Sequence, residues 1–113
     1  MKKNLLLMLI LYMFSIKCMA GCDSRFCSGI QDEVIKSVYP TQGGKVYLEA
    51  PADKANLNCT LVEGYYMVLD PSHPLFKEIY STVLTAMTAG KQFQVRIVEN
   101  SSDCRVAYVR MWT

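Results

Sequence analysis

The stretch DPSHPLFKEIYSTVLTAMTAGKQFQVRI, residues 70–97, decides the fold, because a helix and a strand follow one another in it with almost no connection. Asp70-Pro71-Ser72-His73-Pro74 is a helix-start cluster. Asp70 or Ser72 can cap free N–H groups, and proline is tolerated in a first helical turn. Phe76, Ile79, Tyr80, Val83, Leu84 and Met87 then recur at spacings of three and four, which places them on one apolar stripe. Gly90 stands where a left-handed terminal residue is wanted, and Lys91 lies at the negative end of the helix dipole. The pattern predicts a helix of about 17 residues. Gln92 to Ile97 then alternates polar and apolar, as a half-buried strand does.

Upstream of this stretch, Gly21 to Gly29 lacks periodicity and reads as a tethered loop. Ile30 to Tyr39, with Val34, Ile35 and Val38, reads as a strand. Pro40-Thr41-Gln42-Gly43-Gly44 is turn chemistry, and Lys45 to Glu49 alternates, so the two predict a hairpin. Pro51 to Asn58 is polar and loop-like. Thr60 to Leu69 is rich in β-branched and aromatic residues, with Gly64 marking an expected bulge. Downstream, Asn100 to Asp103 is a turn and Cys104 to Trp112 a last strand. The order is three strands, one helix, two strands. It describes a small α+β, mainly β domain with the helix between strands three and four. That is the order of the OB-fold, a five-stranded, partly open barrel.

The N-terminus carries an address. Lys2 and Lys3 precede an apolar run from Leu5 to Ile16, and Cys18 and Ala20 supply small residues at a cleavage site. This is the layout of a signal peptide over residues 1–20, and the run is shorter than the ~20 residues a membrane span needs. Removing twenty of the 113 residues leaves 93, enough for a single exported domain over 21–113. A domain of that size has a thin core, so staples are expected. Cys22, Cys27, Cys59 and Cys104 remain, an even number in an oxidising compartment. Four cysteines allow three pairings; Cys22–Cys27 with Cys59–Cys104 is the favoured one. Met19-Ala20-Gly21-Cys22 also fits a lipoprotein box, in which Cys22 would be lipidated and the product anchored to a membrane. Three of the twelve basic residues lie in the leader, leaving nine against ten acidic ones. With Lys and Arg scattered and no basic stripe, nucleic acid is not an expected partner.

Catalytic signals are sparse. His73 is the single histidine, readable as a general base or as a first-turn residue near solvent, and no nucleophile or acidic orienter neighbours it in sequence. Asp32-Glu33 reads as a carboxylate pair or as solvated residues at a strand entrance. No metal, nucleotide or elbow-serine motif occurs, so neither enzyme chemistry nor a cofactor is expected. Tyr39, Tyr47, Tyr65, Tyr66, Tyr80, Tyr108 and Trp112 are the more informative residues. A flat apolar ring with a polar tip suits sheet packing, sugar stacking or a protein interface. Two N-x-Ser/Thr triplets, at Asn58 and Asn100, matter only in a eukaryotic secretory route.

Asp32-Glu33-Val34-Ile35, Pro74-Leu75-Phe76-Lys77-Glu78 and Thr88-Ala89-Gly90-Lys91-Gln92-Phe93-Gln94-Val95-Arg96-Ile97 together carry a resemblance. Across residues 28–99 the chain is similar to B subunits of bacterial AB5 toxins, in particular the subtilase-cytotoxin and pertussis-like group. In those subunits a helix ending in a glycine turn runs straight into the fourth strand. Small exported bacterial proteins of unknown role share the pattern. The resemblance implies an OB-fold, a five-fold homo-oligomeric ring, recognition of a host glycan and a separate catalytic subunit. It matches Ser28 to a sugar-contacting serine. The chain departs from the toxins in having one cysteine, Cys59, in the central strands, and Thr85-Ala86-Met87-Thr88 where their helix ends in aromatics. Two readings follow. One is a non-enzymatic exported module binding a glycan or protein receptor. The other is a monomeric periplasmic or lipid-anchored accessory protein binding another protein.

Overall fold

A computed structural model describes residues 20–113. The signal peptide read over residues 1–20 therefore lies, apart from Ala20, outside the described residues. In chain order the elements are β1 (Gly21–Cys22), β2 (Phe26–Ile30), β3 (Val38–Pro40), β4 (Val46–Glu49), β5 (Tyr66–Leu69), α1 (Phe76–Ala89), β6 (Gln92–Ile97) and β7 (Val106–Trp112). Short 3-10 turns occupy Gln31–Glu33 and Lys54–Asn56. The strands form two antiparallel sheets, one ordered β1-β2-β6-β7 and the other β3-β4-β5. An isolated parallel bridge between Val68 and Arg105 links them.

The core lies between the sheets and is closed by the helix. Phe93, Val95 and Ile97 enter it from β6, Leu48, Met67 and Leu69 from the second sheet, and Ile79, Val83 and Ala86 from α1. Complete burial of a side chain such as Phe93 or Leu48 stabilises by about 1.5–3 kcal/mol. Both expected disulfides form, Cys22–Cys27 and Cys59–Cys104. Among the described residues no helix is long and apolar enough to cross a membrane.

Several expectations are corrected. The described strands number seven rather than five, and the two sheets do not close into a barrel. Together with Ile30, residues 26–29, read as loop, form β2. Its inward positions are Cys27 and Gly29, too small to register as a hydrophobic alternation. Of the strand expected over 30–39, only its two ends are strand: Ile30, which closes β2, and Val38 and Tyr39, which open β3. Val34 and Ile35 are adjacent and both fully buried, which an alternating strand cannot achieve, and the 3-10 turn before them provides the twist. Residues 60–65 are also not strand. Glu63 and Gly64, with φ of 55° and 78°, sit at the tip of a tight turn whose ends pair as Val62 and Tyr66, so Gly64 makes a turn and not a bulge. The helix is 14 residues long, and its N-cap is Leu75 without a side-chain cap. Asp70 instead caps the turn before it, taking the N–H and the hydroxyl of Ser72 at 2.9 and 2.7 Å. Gly90 ends the helix as expected, at φ 64°.

Candidate functional site

The register of β2, β6 and β7 builds a surface whose composition the linear sequence hides. Cys27, Gly29, Phe93 and Val95 point inward, so their neighbours point out. Across the three strands, Phe26 stands beside Arg96 and Arg96 beside Tyr108. The next row is Ser28, Gln94 and Arg110, and the next Ile30, Gln92 and Trp112. Apolar or aromatic side chains thus take the four corners, and hydrogen-bonding side chains the positions between. Arg96 lies 6.0 Å from the Tyr108 ring centre and Arg110 5.2 Å from that of Trp112. Arg25 lies over Phe26 at 5.9 Å. These distances are those of cation–π contacts, which hold guanidinium and ring together.

Ser28 sits at the edge of this surface, half-buried, and borders clefts on both sides of β2. One cleft, of about 400 Å³, is walled by Trp112 and edged by Ser28, Gln92 and Glu33. Two local features shape it. The Ile30 N–H donates to Glu33 Oε1 at 3.0 Å, fixing the carboxylate at the cleft edge. Gly29 holds φ 138°, and a Cβ there would lie 3.0 Å from the Glu33 Cβ and 3.2 Å from the Ala20 Cβ. Only glycine lets these two segments close over the strand beside Ser28. The other cleft, of about 490 Å³, is bounded by β1 and the 51–56 loop. There the Cys22 N–H donates to Asp53 Oδ2 at 2.6 Å, and Asn56 Nδ2 donates to the Cys22 carbonyl at 3.2 Å. An indole wall beside a hydroxyl, an amide and a carboxylate can stack on the C–H face of a sugar ring and hydrogen-bond its hydroxyls.

The other residues singled out above fall elsewhere. His73 is half-buried. Its Nδ1 accepts the Leu75 N–H at 3.0 Å, so Nε2 carries the proton toward the Ala107 carbonyl at 2.8 Å. Both ring nitrogens are committed to the backbone. Asp32 and Glu33 are exposed on the 3-10 turn and meet Asp53 around a cleft of about 270 Å³. Among the described residues no three His, Cys, Asp or Glu side chains are grouped to hold a metal ion. Asn58 and Asn100 are exposed neighbours, the Asn100 N–H donating to the Asn58 carbonyl at 2.8 Å.

The tyrosines divide between two places. Tyr39, Tyr47, Tyr65 and Tyr66 gather on the outer side of the second sheet and its turn, with centroid separations of 5.5 to 6.3 Å between touching rings. Lys54 Nζ lies 5.3 Å from the Tyr65 ring centre. Tyr39 and Tyr65 are each 53% exposed, so this cluster is surface rather than core. Tyr108 belongs to the first sheet, while Tyr80 stacks on Phe76 along the helix at 6.2 Å. Reading along the chain missed that Arg25, Arg96 and Arg110 belong to one face, because strand pairing is what sets β2, β6 and β7 side by side. The alternation of β6 was the available signal: it put Arg96, Gln94 and Gln92 on one face. Comparison with protein-family models, with curated proteins and with solved structures finds no match to this chain.

Proposed function

We propose that the chain is a non-enzymatic, exported binding module that recognises a glycan at the Ser28–Trp112 cleft. The observation that carries the reading is the juxtaposition of an indole wall with Ser28, Gln92 and the fixed Glu33 carboxylate in one open cleft. Saccharide sites combine a ring platform with a few placed hydrogen-bonding groups in this way. Export is consistent with the two disulfides, which are rare outside oxidising compartments. A lipid anchor at Cys22 is disfavoured, since its sulfur is bonded to Cys27 and has no thiol to give to a thioether. The commitment of both His73 nitrogens to backbone groups supports a binding role over a catalytic one.

The finer fold reading, an OB-fold like that of toxin B subunits, belongs to the same proposal. It is supported by treating β2 and β3 as one strand interrupted at the 3-10 turn, since β2 pairs with β6 and β3 with β4. The parallel Val68–Arg105 bridge then stands where strands three and five would meet. On that reading the module assembles as a homo-oligomeric ring and delivers a separate catalytic subunit.

A glycan-array screen of the disulfide-bonded protein tests the function. Binding lost in both Ser28→Ala and Trp112→Ala is the expected result; a blank array, or binding untouched by both changes, sinks it. The exposed tyrosine cluster favours a second reading, an accessory protein that binds another protein, because tyrosine is enriched in such interfaces. A partner captured by the wild type and lost in Tyr39→Ala, with the array blank, would select that reading.

A further inference from the structure

We infer that the outward face of β2, β6 and β7 takes a saccharide whose acid groups recur along its length, an anionic polysaccharide strand lying across the sheet. The inference rests on the glycan-binding reading and names its substrate class. Three observations carry it. First, the three cross-strand rows of the face hold Arg96, Arg110, Gln92, Gln94 and Ser28 between the apolar corners and neither Asp nor Glu; the carboxylates stand at its edge, Glu33 beside Ser28 and Trp112, and Asp23 and Asp53 beyond Phe26. A surface rich in donors selects a ligand rich in acceptors.

Second, the cations are available. Among the described residues the one ion pair is Arg105 with Asp103, so Arg25, Arg96 and Arg110 rest on aromatic rings and not on carboxylates. Three of the nine Lys and Arg beyond residue 20 are thereby drawn to one face of a domain that is otherwise slightly acidic. Third, they are spread. Arg25 lies over Phe26 on β2, Arg96 projects from β6, and Arg110 leans along β7 toward Trp112. A single acid group would meet one of them; a chain of acids meets all three. The rings beneath the guanidiniums favour a saccharide over a bare polyanion, because sugar C–H faces stack where an acidic peptide has nothing to offer.

The test compares dextran sulfate, neutral dextran, poly-glutamate and a single-stranded oligonucleotide as ligands of the disulfide-bonded protein, by calorimetry at low and high salt. Dextran sulfate is expected to bind at least about tenfold tighter than the other three, and the Arg96→Gln/Arg110→Gln variant to lose about tenfold. That variant should also show a shallower salt dependence, having fewer cations to screen. Lys77→Gln, on the exposed side of the helix, is expected to bind as wild type. Equal binding by poly-glutamate or the oligonucleotide would overturn the inference, as would a double variant that binds dextran sulfate like wild type. Neutral glycan binding that depends on Ser28 and Trp112, without a preference for sulfated dextran, would remove this inference and leave the glycan reading in place. Absence of any saccharide binding would remove both.

Discussion

The Val68 N–H donates to the Cys104 carbonyl at 3.1 Å, and the Cys104 sulfur is bonded to Cys59. Cys104 thus ties the segment before β7 to β5 through its backbone and to the loop between β4 and β5 through its side chain. Cys104 is completely buried and holds φ 45°, a left-handed conformation that a side chain other than glycine adopts at some cost.

Breaking the two disulfides should therefore have unequal effects. Replacing Cys59 and Cys104 by serine frees a chain separation of 45 residues, which in the chain-entropy model costs about 3–4 kcal/mol. Replacing Cys22 and Cys27 frees a separation of only 5, for which the same model gives about 2 kcal/mol. Thermal unfolding of the two double variants should show the larger fall in Tm for the first. Equal falls would mean that closing the longer loop adds nothing to stability beyond the shorter one.

Gly29 and Gly43 make an opposed pair. At Gly29 an added methyl meets Glu33 and Ala20 and the backbone sits at φ 138°, so Gly29→Ala should destabilise by about 1–3 kcal/mol. It should also displace Glu33 and weaken any ligand held at the cleft. At Gly43 nothing lies within 4 Å, and alanine there should be neutral or stabilise by about 0.4–1 kcal/mol through the unfolded chain. Urea unfolding of both variants reads the difference directly.

His73 acts as a clasp between the start of α1 and β7. Its ring bridges the Leu75 N–H and the Ala107 carbonyl, and its own N–H donates to the Asp70 carbonyl at 3.0 Å. His73→Ala removes the partners of the exposed Leu75 N–H and the part-buried Ala107 carbonyl and should cost about 0.5–1.5 kcal/mol. Hydrogen exchange should show the loss locally, as faster exchange at Leu75. Unchanged exchange at that amide would mean that the ring contributes no clasp.

How much of this was legible depended on how the chemistry is spaced. The helix, the β6 strand and the β3–β4 hairpin were readable because their residues repeat at the period of the element, and Gly90 and the 40–44 turn punctuate them. β2 was not, since its inward residues are Cys27 and Gly29, and hydrophobic patterning is blind to small side chains. The 3-10 turn after it was hidden for the opposite reason: Val34 and Ile35 look like strand residues, yet both are buried because the chain rotates between them. Ser28 was singled out through a resemblance alone. Its neighbours Trp112, Gln92 and Arg110 lie more than sixty residues away, and only strand pairing brings them together. Alternation within β6 and β7 groups the residues of each strand, but no spacing within the chain discloses which strands lie side by side.

Asp70 should make stability pH-dependent at the acid end. The Ser72 hydroxyl and then the Ser72 N–H, both donating to its carboxylate, hold its pKa below the ordinary 3.8; burial opposes them weakly, and Lys45 and Arg105 add smaller favourable contributions. A carboxyl group with a lower pKa folded than unfolded stabilises the fold above its unfolded pKa, and that contribution disappears as pH falls through the folded value. Urea unfolding of wild type and Asp70→Asn should therefore differ near neutral pH, wild type being the more stable, and converge as the medium is taken well below pH 3.8. Ser72→Ala, which removes the hydroxyl donor and keeps the backbone one, should fall between the two. A constant difference across the whole acid range would place the effect of Asp70 in its shape and not in its charge.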